Sequence, residues 1–303
     1  MIDFKRITFD KKEEFEKYLL DGNERGCEYS FANLYMWGRQ SAQIVCDHIV
    51  LFSQYNRRSV YPFPVGYGDK KAVIDAVIAD SKERGIPCRF TGLTERDKNI
   101  LEELYPGMFS FHCDRDFFDY VYDINDLVEL RGKKYHSKKN HFNKFTTSYP
   151  DYRVEEINDS NIDKVSAMVE QWYRDRLEEA PDSDFQMETV AIGKALRHYK
   201  ELGMEGLVMY IGDEVVAMTV GSFTSKDTID VHFEKARRNI DGGYAVINRE
   251  FAKHIRDKYP QVKYLNREDD MGIEGLRKAK ESYRPHHMVE KCWAHLLEEE
   301  YEY

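Results

Sequence analysis

Cysteine is scarce in this sequence: 5 among 303 residues, at 27, 46, 88, 113 and 292, odd in number, widely spaced and never as C-x-x-C. That pattern argues against a zinc site or a disulfide framework, and reduced thiols in a cytoplasmic protein are expected. Long apolar runs are missing too, since no stretch approaches the ~18 residues that a membrane span requires. The first ten residues carry Asp3, Lys5, Arg6 and Asp10 where a secretory leader would place an apolar core. Nor is there an excess of positive charge. The net charge of −10 gives the whole protein no attraction for nucleic acid, so no DNA partner is expected. The pair His286-His287 has no companions at metal-ligand spacing, so no metal is assigned. The acidic end Glu298–Glu302 reads as a solvated tail.

What is present is core material. Hydrophobic residues make up 42% of the chain, with 21 tyrosines and 17 phenylalanines, which argues against disorder. The length suits two domains of ~150 residues each. Periodicity gives the same element order twice: strand, helix, helix, three strands, helix, strand, helix, strand. The first pass runs from Ile2 to Tyr122, and the second begins with a strand at Tyr152–Ile157. In the second pass Asn158-Asp159-Ser160 can cap a helix bearing Ile162, Val165, Val169 and Trp172. A polar break containing Pro181 follows, then a helix ending near Gly203 and a hairpin turning at Gly212-Asp213. Thr228–Glu234 is a strand, and a Gly-Gly turn opens a helix with Tyr244, Ile247, Phe251 and Ile255 on one face. Val262–Leu265, Gly272–Glu281 and Met288–Leu297 complete it as strand, helix and terminal strand. The halves share no residue-level identity, so the repeat is one of architecture. The fold class is α/β, with mixed α+β sheets. The expected domains are 1–125 and 150–303, joined by a basic helix over 126–149.

Two blocks of sequence narrow the class. One is Leu130 to Phe145, LRGKKYHSKKNHFNKF; the other is Tyr264 to Lys280, YLNREDDMGIEGLRKAK. With the element order, they resemble the C-terminal domain of phosphatidylglycerol lysyltransferases, over essentially the whole chain. The resemblance implies tandem acetyltransferase (GNAT)-like domains, related also to Fem-type aminoacyltransferases. It implies an acyl or aminoacyl group passing to an amine or hydroxyl acceptor, from aminoacyl-tRNA in those relatives or from acyl-coenzyme A in the wider fold. Two departures stand out. The membrane-spanning segment of the full lysyltransferases has no counterpart, which counts against a phospholipid acceptor. The tyrosine that many acetyltransferases carry on their last helix as a general acid falls near Ala279.

Three constellations could carry the chemistry. The first is the turn Lys235 to Tyr244, where the resemblance places a donor pyrophosphate against backbone amides and a helix N-terminus. Phe233, Arg237, Arg238, Asn239, Gly242, Gly243 and Tyr244 are the expected donor-binding residues. Counted from Arg238, the first glycine of the acetyltransferase pattern is Asp241 here, and only Gly243 matches. The plainer reading is a turn into an amphipathic helix with Asp241 as N-cap. The second is the basic helix, where Tyr135, Phe142 and Phe145 form one stripe at 100° per residue. Arg131 and Lys138 fall on that stripe, so they need a partner: a bound polyanion such as tRNA, or a structural carboxylate such as Asp119, Asp123 or Asp126. Arg131, Lys138 and Lys139 are the substrate-binding candidates.

The third constellation is the loop and helix after the strand at 262–265, at the end where α/β folds place ligands. Asn266, Arg277 and Lys280 are candidate substrate contacts. Glu234, Glu268 and Asp270 are candidate general bases for the acceptor. The plainer reading has Asp269 and Asp270 capping the helix and pairing with Arg277 and Lys280. His232, alone in an alternating strand, reads as structural. The first half has no donor turn and is expected to shape the cleft and help bind the acceptor. The competing class is a non-catalytic ligand-binding or scaffold protein with a degenerate acetyltransferase fold.

Overall fold

A computed structural model describes residues 1–20, 26–55, 58–179 and 183–297. The acidic end at 298–302 and Pro181 of the expected break lie outside them. In chain order the strands are β1 (Lys5–Arg6), β2 (Gln40–Val45), β3 (His48–Tyr55), β4 (Arg58–Pro62), β5 (Val65–Gly66), β6 (Arg89–Leu93) and β7 (Phe109–Cys113). After them come β8 (Asp119–Asp123), β9 (Arg153–Glu156), β10 (Glu205–Ile211), β11 (Glu214–Phe223), β12 (Thr228–Ala236), β13 (Tyr264–Asn266), β14 (His287–Val289) and β15 (Cys292–Leu296). The helices are α1 (Lys12–Leu19), α2 (Phe31–Trp37), α3 (Lys70–Arg84), α4 (Glu95–Leu104) and α5 (Ile124–Glu129). The rest are α6 (His136–Ser148), α7 (Ile162–Glu179), α8 (Ser183–Arg197), α9 (Gly243–Lys258) and α10 (Glu274–Glu281). Among the described residues no helix is long and apolar enough to cross a membrane.

The chain forms two compact units, and neither is a continuous half. The first holds Met1–Asp119, Asp269–Gly272 and Met288–Tyr303; the second holds Tyr120–Glu268 and Ile273–His287. This corrects the expected boundaries. The run at 120–123 and the basic segment belong to the second unit, and the last strand returns to the sheet of the first. Periodicity identifies a strand but does not say which sheet it enters or between which neighbours.

In the first unit the sheet order is β1-β2-β3-β4-β6-β15-β7, with β5 on β3. The β2–β3 hairpin turns on Cys46 and Asp47, both at positive φ, as a two-residue loop requires. Asp69 caps α3 by accepting from Lys71 and Ala72 amides, and Thr94 with Asp97 forms a capping box on α4. These helices bury Val73, Ile74, Val77 and Leu101 against Tyr61, Phe90, Phe109 and Ala294 of the sheet. The return of β15 also overturns the expectation that all thiols are reduced. Cys292 lies opposite Cys113 on β7 with their Cα atoms 4.2 Å apart, and the two are joined in a disulfide across 179 residues. Cys27, Cys46 and Cys88 are not disulfide-bonded.

The second unit's sheet runs β14-β8-β13-β12-β11-β10-β9. All its described pairings are antiparallel except β12 with β13, which are parallel through three residue pairs ending at Asp230 and Asn266. Beyond them β12 continues to Ala236 while β13 stops. A bulge in the β11–β12 ladder sets Gly221 opposite Val231 and Val220 opposite Phe233, leaving His232 as the extra residue. Gly221 is required there, because a Cβ would lie 2.3 Å from the Asp230 carbonyl oxygen.

The basic segment is not one helix. Leu130 and Gly132, both at positive φ, separate α5 from a short 3-10 turn at Lys133–Tyr135 that leads into α6. Tyr135 and Phe145 of the expected stripe are fully buried, and Phe142 packs under the Arg249 guanidinium at 4.3 Å. Arg131 departs from the expectation: it precedes the helix, is 82% exposed and pairs with Glu129. Phe145 anchors α6 beside the first turn of α9, its Cβ lying 3.1 Å from where a Cβ on Gly242 would be. Phe145→Ala is therefore expected to lower the unfolding free energy by ~3–5 kcal/mol, read from denaturant titration.

Candidate active site

Where β12 and β13 part, the second unit concentrates its buried charge. Asp230 and the His232 side chain are inaccessible, while the Glu268 side chain keeps 23% of its surface exposed. His232 Nδ1 lies 3.2 Å from Asp230 and 3.4 Å from Glu268, and its Nε2 lies 2.8 Å from the Ser222 hydroxyl. Burial opposes the imidazolium, but the two carboxylates outweigh it and raise the pKa to about 9. For Glu268, burial and Asp230 push upward against His232 and Lys280, and its pKa is raised to about 7. A carboxyl raised toward neutrality and partly open to solvent suits a general base.

The backbone that aims Glu268 is held by polar side chains. Asn266 Oδ1 accepts from the Glu268 amide at 2.8 Å, and Glu268 itself is at φ 58°. The buried Lys280 ammonium donates to the carbonyls of Arg267 and Glu268, and the Tyr122 hydroxyl donates to the Lys280 carbonyl at 2.8 Å. Asn266 and Lys280, expected to touch substrate, thus build the turn. Alongside, Arg267 pairs with Glu234 at 2.9 Å, and Asn248 donates to the same carboxylate at 3.3 Å. Arg267 and Lys138 lie 5.0 Å and 4.2 Å from the Tyr283 ring. Burial, then Arg267, lowers the Lys138 pKa. Tyr283, four residues beyond Ala279 and past the end of α10, is buried, and its hydroxyl is pushed up to about 12.

At the far end of β12 lies a cavity of about 610 Å³. Met168, Trp172 and Arg176 of α7 line one side, with Arg237, Arg238 and Asn239 of the turn on the other. Trp172 Nε1 donates to the Ala236 carbonyl at 3.1 Å, fixing helix to turn. Arg237 is anchored by the Val215 carbonyl at 2.9 Å and Glu214 at 2.6 Å, whereas Arg238 and Asn239 are exposed. Gly242, at φ 83°, is the N-cap of α9, in place of the expected Asp241, which binds Lys144 instead. A Cβ on Gly242 would approach the His141 carbonyl to 2.8 Å, so α6 itself demands this glycine. The Gly243 amide donates to the Ile240 carbonyl at 3.2 Å.

The sequence matches the model of a family described as phosphatidylglycerol lysyltransferase, C-terminal, over residues 21–295. The chain belongs to that family. A conserved protein of unknown function from Bacteroides thetaiotaomicron is 35% identical, with a TM-score of 0.93 over 98% of this chain and all of that one. L-PGS from Bacillus licheniformis is 14% identical with a TM-score of 0.67, over 97% of this chain and 94% of that one. A tandem GNAT protein from the clavulanic acid biosynthesis pathway is 7% identical with a TM-score of 0.50, over 98% of each chain. An uncharacterized protein, MYCGA3080 of Mycoplasmoides gallisepticum, is 20% identical over 175 residues, 57% of this chain and 54% of its own. The chain therefore spans about half the length of that curated relative. The fold is the expected tandem GNAT-like one.

Within this lysyltransferase C-terminal family member, the structure sorts the sequence candidates. Glu268 lies at the opening between the strands; Glu234 lies nearby but is held by Arg267 and Asn248. Asp270 belongs to the first unit, fully buried 3.4 Å from Arg115 and accepting from the Gly272 amide at 2.9 Å, which gives it a structural task. Arg238 and Asn239 line the cavity, Phe233 is core, and Tyr244 is 42% exposed on the first turn of α9. Lys138 faces Tyr283, Lys139 is exposed, and Arg277 is half-buried on α10. His232, structural by sequence, stands beside Glu268, and Arg267, Tyr283 and Trp172 join the surroundings without a motif that marks them. The bulge opposite Gly221 is what turns His232 there, and strand alternation alone does not reveal it.

Two clusters of metal-ligand type lie within single units, and each surrounds a lysine. Lys291 is 2.7 Å from Asp119 and 3.3 Å from Glu28 beside Cys27, and Lys258 is 2.9 Å from Glu205 and 3.2 Å from Glu156 beside His254. Each ammonium group already occupies the place between its carboxylates and offsets part of their charge. In the Asp230–His232–Glu268 cluster the positive imidazolium favours the charged form of Glu268. His232→Gln is expected to move the Glu268 pKa above 7, and carboxyl-carbon NMR titration of both proteins would detect the shift.

Proposed function

We propose that this protein transfers an aminoacyl group from an aminoacyl-tRNA to an amine or hydroxyl acceptor, with Glu268 as general base. The observation that carries the reading is Glu268 itself: partly exposed, where β12 and β13 part, and with a pKa raised to about 7. The acceptor's lone pair attacks the ester carbonyl while its proton passes to Glu268. The carbonyl–oxygen bond to the tRNA then breaks, and the protonated Glu268 returns the proton to the departing oxygen. His232, held protonated by Asp230, keeps Glu268 from becoming permanently neutral. Lys139, exposed on α6, with the half-buried Lys138 beside it, offers cations to a phosphate backbone.

A second donor, an acyl-coenzyme A thioester, is favoured by the cavity that brings Arg176 and Arg238 together beside Trp172. Against it stand the Asp241 substitution in the glycine pattern and an Arg237 already paired with Glu214.

The test is transfer of labelled amino acid from charged tRNA to a panel of amine and hydroxyl acceptors. Transfer is expected to rise about tenfold per pH unit below 7 and level off above it. Glu268→Gln should lose ~10²–10⁴-fold together with that rise. Charge reversal at Lys138 and Lys139 should weaken tRNA binding. Absence of transfer, with a coenzyme A-dependent rise in thermal midpoint that Arg238→Glu removes, would assign the thioester donor instead.

A further inference from the structure

The first unit carries a cavity that the proposed transfer does not use. It measures about 430 Å³ and lies on the face of the sheet turned away from the core. Strand alternation explains its lining. On β6 Phe90 points into the core and Arg89 out of it; on β15 Cys292 and Ala294 point inward, and Trp293 and His295 outward. Register then sets Arg89 directly opposite His295, and Trp293 directly opposite His112. Arg58 of β4 completes the lining from the other flank of β6.

Two features of this face need a reason. Groups that are cationic when protonated stand across one another, an arrangement that destabilises a sheet. No salt bridge to Arg58 or Arg89 occurs among the described residues, and Asp114 is the one carboxylate in the lining. One oxygen of Asp114 accepts from the Asp116 amide at 3.0 Å, so it is partly committed to its own turn. Burial, then Arg89 and His112, lowers the His295 pKa, as expected where positive potential accumulates. The second feature is aromatic. Trp293 lies among these basic side chains, and Phe117, 42% exposed, is in the same lining.

Cations and flat rings together meet one kind of ligand chemistry: a planar heterocycle that carries a phosphate. The geometry points to a nucleotide-binding site on this sheet, with the base stacked on Trp293 and Phe117 and the phosphate held by Arg58 and Arg89. The volume is within the range of small-molecule pockets. A bare phosphate would leave both rings uncovered. The disulfide between Cys113 and Cys292 ties together the two strands that present His112, Trp293 and His295. The source of the nucleotide is either a free mononucleotide or the end of an RNA strand.

Calorimetric titration of the intact protein with adenosine monophosphate, inorganic phosphate and a short single-stranded RNA tests this. Adenosine monophosphate or the RNA should bind at least tenfold more tightly than phosphate, and whichever is tighter names the source. Arg89→Ala and Trp293→Leu should each weaken that binding at least tenfold, while Trp293→Phe retains it and confirms an intact fold. Arg238→Glu, in the other unit's cavity, should leave it unchanged. Equal affinity for phosphate alone, no binding of either nucleotide probe, or loss in Arg238→Glu but not in Arg89→Ala would overturn the assignment. Aminoacyl transfer is assayed separately, so its failure leaves this result standing.

Discussion

Everything in the second unit's candidate site depends on a parallel strand pairing that stops after three residue pairs. While β12 and β13 are bonded, their carbonyls and amides satisfy each other. Past Asp230 and Asn266 those groups need other partners, because unpaired backbone polar groups are costly when buried. The Tyr120 amide and the Lys280 ammonium both take the Glu268 carbonyl, and Asn266 takes the Glu268 amide. Closing the backbone in this way turns the Glu268 side chain toward His232. The bulge opposite Gly221 does the same from the other strand, adding the residue whose side chain meets it.

The same opening explains why ionisable groups gather there and how they are tolerated. Isolated buried charges are expensive, and each one here has an opposite charge or a set of dipoles within reach. Arg267 has Glu234 and two tyrosine rings; His232 has Asp230 and Glu268. Lys280 has two carbonyls. The pairing leaves Glu268 as the partly exposed carboxyl of its cluster, with burial and Asp230 raising its pKa into the neutral range. Glu234, equally plausible in the sequence, is drawn into a short ion pair and an amide hydrogen bond.

The first unit shows the contrasting case. Its buried Lys291 is neutralised by Asp119, Glu28 and Asp269, and burial is outweighed so that its pKa is raised well above the usual range for lysine. On the outer face of its sheet, by contrast, Arg58 and Arg89 line a cavity with two aromatic residues, two histidines and one carboxylate. Charge that is matched inside and unmatched on an accessible face separates a structural cluster from a candidate binding surface.

The sequence by itself determined the element order, the mixed sheets, the aromatic stripe of α6 and the family. These follow from local periodicity, turn chemistry and two linear blocks of residues, all of which are written in consecutive positions. The turns that hold Glu268, Arg238 and Gly243 are likewise marked by consecutive residues. Only the tertiary structure decided that β15 completes the first sheet, which joins Cys113 to Cys292 and builds the cationic face. It also decided that Asp270 faces Arg115, that Lys280 donates to two carbonyls and that His232 meets Glu268. Those outcomes rest on pairings between residues far apart in the chain. A side chain's task is set by the partner that reaches it first, and that partner is chosen by strand register, which a one-residue shift would reverse.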